Sequence, residues 1–316
     1  METTSLYYFS ELAKDLNMTH TASRLYISQQ TLSNHIIRLE EQLGTKLFER
    51  KPTLRLTSSG EVVLQFANMV NRGYANLQDM LAEIEHEERG AISFGASFFQ
   101  LHLIIPQILP LFTEKFPKVQ MRLSSMNSSH LEQSLLSGDI DLALVSDLKE
   151  NPLIASERIF EDIAYLCVRK SLLEQYYGEN ADKIIQRSSE HLQLADFSSL
   201  PFCPLQTRVG NRITEGFSDA HFQPKCYMRT TDVLIVLDAF CTQPMAGFST
   251  HSVLVRYKKR LPEDLLIFPY EYKGKTLKSS FYLCHHKERY LADYAVCFSE
   301  LVRSFFTRIA SINPLE

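Results

Sequence analysis

From Gly90 onward the chain alternates short apolar runs with longer segments whose apolar residues recur every three to four positions, and this rhythm constrains the fold most. Ala91–Ala96 reads as a strand, Leu101–Phe116 as a helix ending before Pro117, Val119–Ser124 as a strand, Ser129–Ser137 as a helix, and Leu142–Val145 as a buried strand. A parallel neighbour strand needs a long crossover, and a helix supplies it, so this order predicts an α/β unit with a largely parallel sheet. Ligands of such sheets sit at the carboxyl ends of the strands. Ser97 follows the first strand, Asn127-Ser128-Ser129 precedes the second helix, and Gln206-Thr207 follows the apolar segment 200–205. Hydroxyls and free N–H groups at helix N-termini suit an anion. The plainer reading of each residue is an ordinary N-cap.

The upstream part has a different texture. Ser58-x-x-Glu61 has the spacing of a capping box, and no proline follows before Pro106, so one long helix is expected over 58–89. Along it Val63, Phe66, Val70, Gly73, Leu77, Met80 and Ile84 fall at spacings of 3, 4, 3, 4, 3 and 4, a heptad seam that suits pairing of two helices. A stripe lying on its own domain is the alternative. Gly73 within it either permits close approach or marks a weak point.

The first sixty residues read as short helices. Leu6, Phe9, Leu12, Ala13 and Leu16 outline the first, and Thr21–Leu25 a short second. Ser28 stands where an N-cap would start a third, which runs to Leu43 before Gly44 stops it. Leu32, Ile36, Leu39 and Leu43 form its apolar stripe, and Gln29, Gln30, Ser33, Asn34 and Arg38 its polar face. Two strands, Lys46–Arg50 and Leu54–Thr57, follow around a Lys-Pro-Thr turn. The expected module is a helix-turn-helix with a basic two-stranded wing.

The formal net charge of −4 conceals a local asymmetry. Residues 20–60 carry six Lys/Arg against three Glu, a local +3, while 61–90 carry two basic against six acidic residues. Gln pairs with adenine, Arg with guanine, and Ser or Thr reaches bases or phosphates. Ser28, Gln29, Gln30, Thr31, Ser33, Asn34 and Arg38 are therefore candidates for reading double-stranded DNA, with Arg50, Lys51 and Arg55 on the wing for the phosphates. A merely solvated helix face is the plain alternative.

Four linked motifs give this region a family likeness. Thr21-Ala22-Ser23-Arg24-Leu25-Tyr26-Ile27-Ser28-Gln29-Gln30, Leu39-Glu40-Glu41-Gln42-Leu43-Gly44, Leu47-Phe48-Glu49-Arg50 and Leu56-Thr57-Ser58-Ser59-Gly60-Glu61 resemble the LysR-type transcriptional regulators, in the family's order. Departures fall at Thr21, Gln30, Asn34 and Ile37, and bear on sequence preference rather than on the module. Gly138-Asp139-Ile140-Asp141-Leu142-Ala143-Leu144 resembles the family's effector-domain signature. The resemblance implies a winged helix-turn-helix domain over 1–58, a dimerising linker helix over 59–89, and a two-subdomain effector domain over 90–316, similar to periplasmic binding proteins. Subdomain I would comprise 90–164 and 268–316, and subdomain II 165–267, with crossing strands near Phe160–Arg169 and Leu265–Tyr270. Residues 171–190 look longer than usual for the family.

That likeness also implies a homodimer or tetramer on an interrupted palindromic promoter site, with RNA polymerase as a further partner. A small-molecule effector would meet Ser97, Phe98, Asn127, Ser128, Gln206, Thr207 and Phe240, the last standing where the family commonly has Gly. Phe99 lies beside them. Rival readings are a thiol-based redox regulator using Cys203 and Cys226, and a solute-binding protein using only the α/β part.

Composition bounds the rest. With 45% apolar and 22% charged residues the chain is globular, not disordered. No apolar run reaches the ~18 residues of a membrane span, and the N-terminus lacks a secretory pattern, so a cytoplasmic location is expected. Six scattered cysteines contain no CxxC pair, which favours reduced thiols. Cys284-His285-His286 suggests a metal, but strand neighbours point to opposite faces and no spaced fourth ligand follows. No phosphate loop, GxSxG elbow or HExxH motif is present, so neither catalytic site, metal nor cofactor is expected.

Overall fold

The computed structural model describes residues 2–50, 53–84 and 90–314, with only the backbone of 82–84. Three helices open the chain, α1 (Thr3–Asp15), α2 (Met18–Arg24) and α3 (Gln29–Leu43), followed by the wing strands β1 (Phe48–Glu49) and β2 (Arg55–Leu56) and the linker helix α4 (Ser58–Ile84). The Ser28 hydroxyl accepts the Thr31 N–H at 3.0 Å to start α3, and Gly44, at φ 66°, ends it in the left-handed conformation that glycine tolerates. Leu6, Phe9, Leu12, Leu32, Ile36, Leu39, Leu47 and Phe48 form one buried core, each such side chain contributing about 1.5–3 kcal/mol of apolar burial. Leu43, expected on that stripe, is exposed.

The wing is shorter than expected. Among the described residues the ladder pairs only Phe48↔Leu56 and Glu49↔Arg55, with the Thr57 N–H donating to the Leu47 carbonyl at 3.0 Å beyond it. Buried Glu40 accepts the Leu47 N–H at 2.9 Å and the Lys46 ammonium at 2.7 Å. The start of α4 also corrects the expected Ser58–Glu61 capping box. Thr57 takes the capping role, its Oγ1 accepting the Gly60 N–H at 2.9 Å while donating to the Lys46 carbonyl at 2.7 Å. The Thr57 N–H is held by the Leu47 carbonyl of the wing at 3.0 Å, so its hydroxyl falls at the cap one residue earlier than the motif suggests. Gly60 is required there, since a Cβ would meet the Leu47 carbonyl oxygen at 2.2 Å.

The second part begins with β3 (Gly90–Ala96), α5 (Phe98–Lys115), β4 (Val119–Ser125), α6 (Ser128–Ser137), β5 (Leu142–Ser146) and the long β6 (Ile154–Arg169). The middle comprises α7 (Lys170–Tyr177), α8 (Ala181–Glu190), β7 (Pro201–Cys203), α9 (Arg208–Asp219), β8 (Lys225–Cys226), α10 (Val233–Thr242), β9 (Ala246–Thr250) and α11 (His251–Tyr257). Next come β10 (Leu265–Pro269), a hairpin of β11 (Glu271–Tyr272) and β12 (Lys275–Thr276), β13 (Lys278–His286) and α12 (Asp293–Ala310). Nine strands hydrogen-bond in the order β4-β3-β5-β13-β6-β9-β7-β8, with β10 also on β6. Each end holds three parallel strands, as the strand–helix rhythm predicts, and the antiparallel strands lie between them.

The two largest cores divide this sheet. β6 serves both, pairing β13 through Ile163 and then β9 and β10 from Ala164 onward. One core holds Phe94, Phe112, Phe281 and Phe298, the other Leu166, Phe202, Phe217 and Phe248. The return crossing lies later than 268, however. Phe268, Tyr270 and Leu277 pack in the second core, and β13 rejoins the first only at Lys278. The cause is the inserted β11–β12 hairpin, during which the Tyr270 and Leu277 backbones remain bonded to each other and to Ala164. The longer stretch 171–190 forms α7 and α8, which bury Leu172, Leu173 and Ile184 against subdomain II.

Candidate DNA interface and effector cleft

α3 turns Gln29, Gln30, Thr31, Asn34 and Arg38 outward, with Ser33 half-buried, while its Leu32 and Ile36 anchor the helix in the core. Gln29 is steered by Thr19, whose hydroxyl donates to Oε1 at 3.2 Å. Ser28 and Thr31 share a hydrogen bond at 2.8 Å, so both are engaged in the cap. The basic residues divide. Arg24 is drawn inward onto Asp15 at 2.7 Å and onto Glu11, Lys46 serves Glu40, and Arg55 is held by Glu49 across the wing at 2.5 Å. Arg38 and Arg50 remain exposed, and Lys51 lies outside the described residues. Burial alone would raise the Glu40 carboxyl, but the Lys46 ammonium and the Leu47 and Phe48 N–H groups outweigh it and hold its pKa below the usual carboxylate value.

The linker seam departs from its expected residues at Val63 and Val70. Val63 and Val70 pack against the DNA-binding core beside fully buried Ala67, because α4 lies along α1. The expected seam residues Phe66, Gly73, Leu77 and Met80 are exposed, and Val62 and Met69 complete the exposed stripe in place of Val63 and Val70. A Cβ at Gly73 would meet nothing within 4 Å, so this face is open to close approach. The Ile84 side chain lies outside what is described.

Between the two subdomains the strand ends converge. Ser97 and Gln100 form a reciprocal capping box, and Gln100 Nε2 continues to Ser146 Oγ at 3.1 Å. Ser128 donates to the Ser146 carbonyl at 3.0 Å, so Ser97 and Ser128 meet around one residue at the end of β5. From the other lobe Arg208, the first residue of α9, crosses the cleft. Its guanidinium donates to the carbonyls of Ser146 at 2.9 Å and Asp147 at 2.8 Å and to Ser129 Oγ at 3.1 Å, with Glu132 at 3.3 Å. Arg208 was not among the expected site residues. The one local hint is an Arg placed directly after a capping Thr, because its partners lie 61 to 79 positions away in sequence.

Other expected positions behave differently. Thr207 and Asn127 turn their side chains back as N-caps, accepting from the N–H groups of Gly210 at 3.2 Å and His130 at 3.1 Å. Gln206 is exposed, and its backbone N–H bonds to the Thr230 carbonyl at 2.7 Å. Phe98 points away from the cores and packs on His102, whereas neighbouring Phe99 touches a core of each lobe. Phe240 is fully buried against Gly247 among Cys203, Leu237 and Leu254, which corrects its expected place on a pocket wall. Its bulk supports α10 on the sheet. Beside the cleft, a small pocket is lined by Leu205, Val209, Ile213, Val233, Ser249 and Thr250.

Cys203 and Cys226 occupy neighbouring strands, but burial pushes both thiols up, so they are protonated at neutral pH rather than poised as nucleophiles. Among the described residues no group of three His, Cys, Asp or Glu side chains is arranged to hold a metal. No helix of the described residues is long and apolar enough to cross a membrane.

Comparison with known proteins places the chain in a class. Residues 3–61 match the bacterial regulatory helix-turn-helix proteins of the lysR family, and residues 85–307 match the LysR substrate binding domain. The chain belongs to the LysR family. The uncharacterized HTH-type transcriptional regulator YybE of Bacillus subtilis is 30% identical over 166 residues, covering 51% of this chain and 57% of its own. The HTH-type transcriptional activator IlvY of Haemophilus influenzae is 28% identical over 230 residues, covering 72% and 75%. The chain spans about half the length of several of its curated relatives. Among solved structures, a full-length OxyR variant from Pseudomonas aeruginosa superposes with a TM-score of 0.68 at 15% identity, covering 99% of this chain and 96% of its own. CbnR superposes with a TM-score of 0.56 at 22% identity, covering 96% and 99%, and has also been solved with its target DNA. At these identities the likeness is one of fold.

Proposed function

We propose that this protein regulates transcription by reading an interrupted palindromic promoter site as a homodimer, with a small molecule in the cleft between subdomains I and II setting its state. The outward polar face of α3 carries this reading, since Gln29, Gln30, Asn34 and Arg38 are exposed on a helix whose opposite side is locked in a core. Arg38 and Arg50 supply charge for phosphates, and the family match over residues 3–61 supports the same use. The free apolar stripe of α4 supports pairing with a second copy. Two modules related by a two-fold axis would read half-sites in successive major grooves, about one helical turn or a multiple apart. A tetramer and contact with RNA polymerase extend this scheme, and the cytoplasm is where it operates. Ser97, Ser128 and Arg208 are the cleft residues through which the small molecule acts, by binding one arrangement of the lobes better than the other.

The experiment is selection of bound duplexes from a random pool by the full chain. Recovery of a sequence with two inverted half-sites is expected. Recovery of no common sequence would overturn the reading.

A further inference from the structure

The linker helix α4 does not stand free of the effector domain. Arg72 Nη1 donates to the Leu136 carbonyl at 2.7 Å, and Asn76 Nδ2 donates to the Glu288 carbonyl at 2.8 Å. Arg289 answers from the other side, donating to Asn76 Oδ1 and Asp79 Oδ2 at 2.6 Å each and to Asp141 Oδ1 at 2.7 Å. The fit is close. Gly138, at φ 81°, lets the Arg72 stem lie against it, where a Cβ would meet Arg72 Cγ at 2.9 Å. Within this joint is a small pocket, whose wall includes Asn71, Arg72, Ser137, Asp141, His286 and Arg289.

One donor on that wall is buried without an acceptor, and a second faces it. Arg72 Nε is buried and unpartnered, although the Arg72 side chain is only 11% exposed. The Glu288 carboxylate stands 3.5 Å from Nη2 and is 64% exposed, so water screens much of that pairing. His286 is 2% exposed, and its Nδ1 accepts the Glu288 N–H at 3.1 Å, which leaves the neutral ring's proton on Nε2. Burial, and then the Arg72 charge, lower the His286 pKa, so the ring enters the site as a neutral donor.

The other charged groups are already matched. Asp141 accepts from Arg289 through one oxygen and from the Ser93 N–H at 2.8 Å through the other, and Arg289 is shared between Asp141 and Asp79. An apolar occupant would leave the buried Arg72 Nε–H unmade, and a cation would oppose Arg72. An acceptor-rich anion satisfies that N–H.

We infer that this cavity is a binding site for a small oxyanion, which accepts from Arg72 Nε and the His286 ring N–H. Since Arg72 belongs to α4 and His286 to β13, the occupant ties the helix carrying the DNA module to subdomain I. On the regulatory reading above, it fixes the angle of that module independently of the cleft.

The test uses the full chain without DNA, titrated with sodium sulfate, sodium phosphate or sodium acetate against sodium chloride at matched ionic strength. Calorimetry and hydrogen exchange are read together. Saturable binding of at least one oxyanion is expected, with exchange slowed in 68–76 and 134–140 and unchanged by chloride. Response to acetate alone identifies a carboxylate ligand, and response to sulfate or phosphate a tetrahedral one. Arg72→Gln and His286→Phe, each checked for native circular dichroism, should bind at least tenfold more weakly. The proposal is overturned if the response does not saturate, if it lies outside the joint, or if both variants respond like the parent, which would mean an adventitious ion only. None of these readouts involves DNA, so their failure leaves the regulatory reading untouched.

Discussion

Replacing Arg208 with Met keeps an apolar stem on α9 and removes the group that spans the cleft. Three hydrogen bonds to subdomain I are lost, at 2.9, 2.8 and 3.1 Å, along with the Glu132 ion pair at 3.3 Å. A hydrogen bond to a charged group contributes about 1.5–3 kcal/mol when buried, and an exposed ion pair about 0–1 kcal/mol. The Arg208 side chain is 30% exposed, so water recovers part of each bond in the open form. The net loss is then about 2–3 kcal/mol, which shifts the balance of closed and open lobes about 30- to 150-fold toward open. Small-angle scattering should report an expanded effector domain, and hydrogen exchange should quicken in 128–132 and 207–211. Glu132→Gln removes only the ion pair and should shift the balance less than about fivefold. The reasoning fails if Arg208→Met exchanges like the parent in both segments, or changes no more than Glu132→Gln does.

Glu40→Gln should destabilise the DNA-binding module by about 1–3 kcal/mol at pH 7, because it leaves the Lys46 ammonium and two N–H groups without their carboxylate. The folded pKa of Glu40 lies below its unfolded value, so its contribution is full above about pH 4.5 and fades as pH falls through the folded pKa. Urea melts at pH 7 and near pH 3 should show the gap shrinking in acid, and a gap independent of pH would contradict this. Met69→Asp with Leu77→Asp should lower the sedimenting mass at unchanged circular dichroism, whereas Val63→Ala should chiefly destabilise the chain. Equal mass for the parent and the double variant would move the dimer contact elsewhere. Cys203 and Cys226 should react slowly with a thiol reagent at pH 7, since burial raises both pKa values, and rapid labelling of the folded protein would refute that.

What the sequence made legible was local. Ser28 and Gly44 bound α3 from either end through contacts within a few residues, and the strand–helix rhythm after Gly90 depends only on neighbouring segments. The pieces that escaped depend on distant partners. Thr57 displaced Ser58 as the cap because the wing fixes its backbone, and the α4 stripe lost Val63 and Val70 because α1 takes them. Pairing at 3 and 4 spacing identifies an apolar face but not which of two overlapping faces the chain itself will cover. The effector cleft shows the same division. Ser97 and Ser128 were visible as strand-end hydroxyls, while Arg208 gained its role from carbonyls brought near by the sheet. Phe240 was placed at the site by the family likeness, but the packing of α10 on β9 buries it.

The central claim is that α3 reads base identity, and the most direct measurement is the affinity of the parent and Gln29→Ala for a selected duplex and for a scrambled duplex of equal length and charge. Loss of a bidentate contact from Gln to adenine costs about 1–3 kcal/mol, so affinity for the selected duplex should fall about 5- to 150-fold. The scrambled duplex should be bound equally by both proteins, with the same dependence on salt, because phosphate contacts are untouched. Equal weakening on both duplexes, or no weakening on the selected one, would contradict the claim.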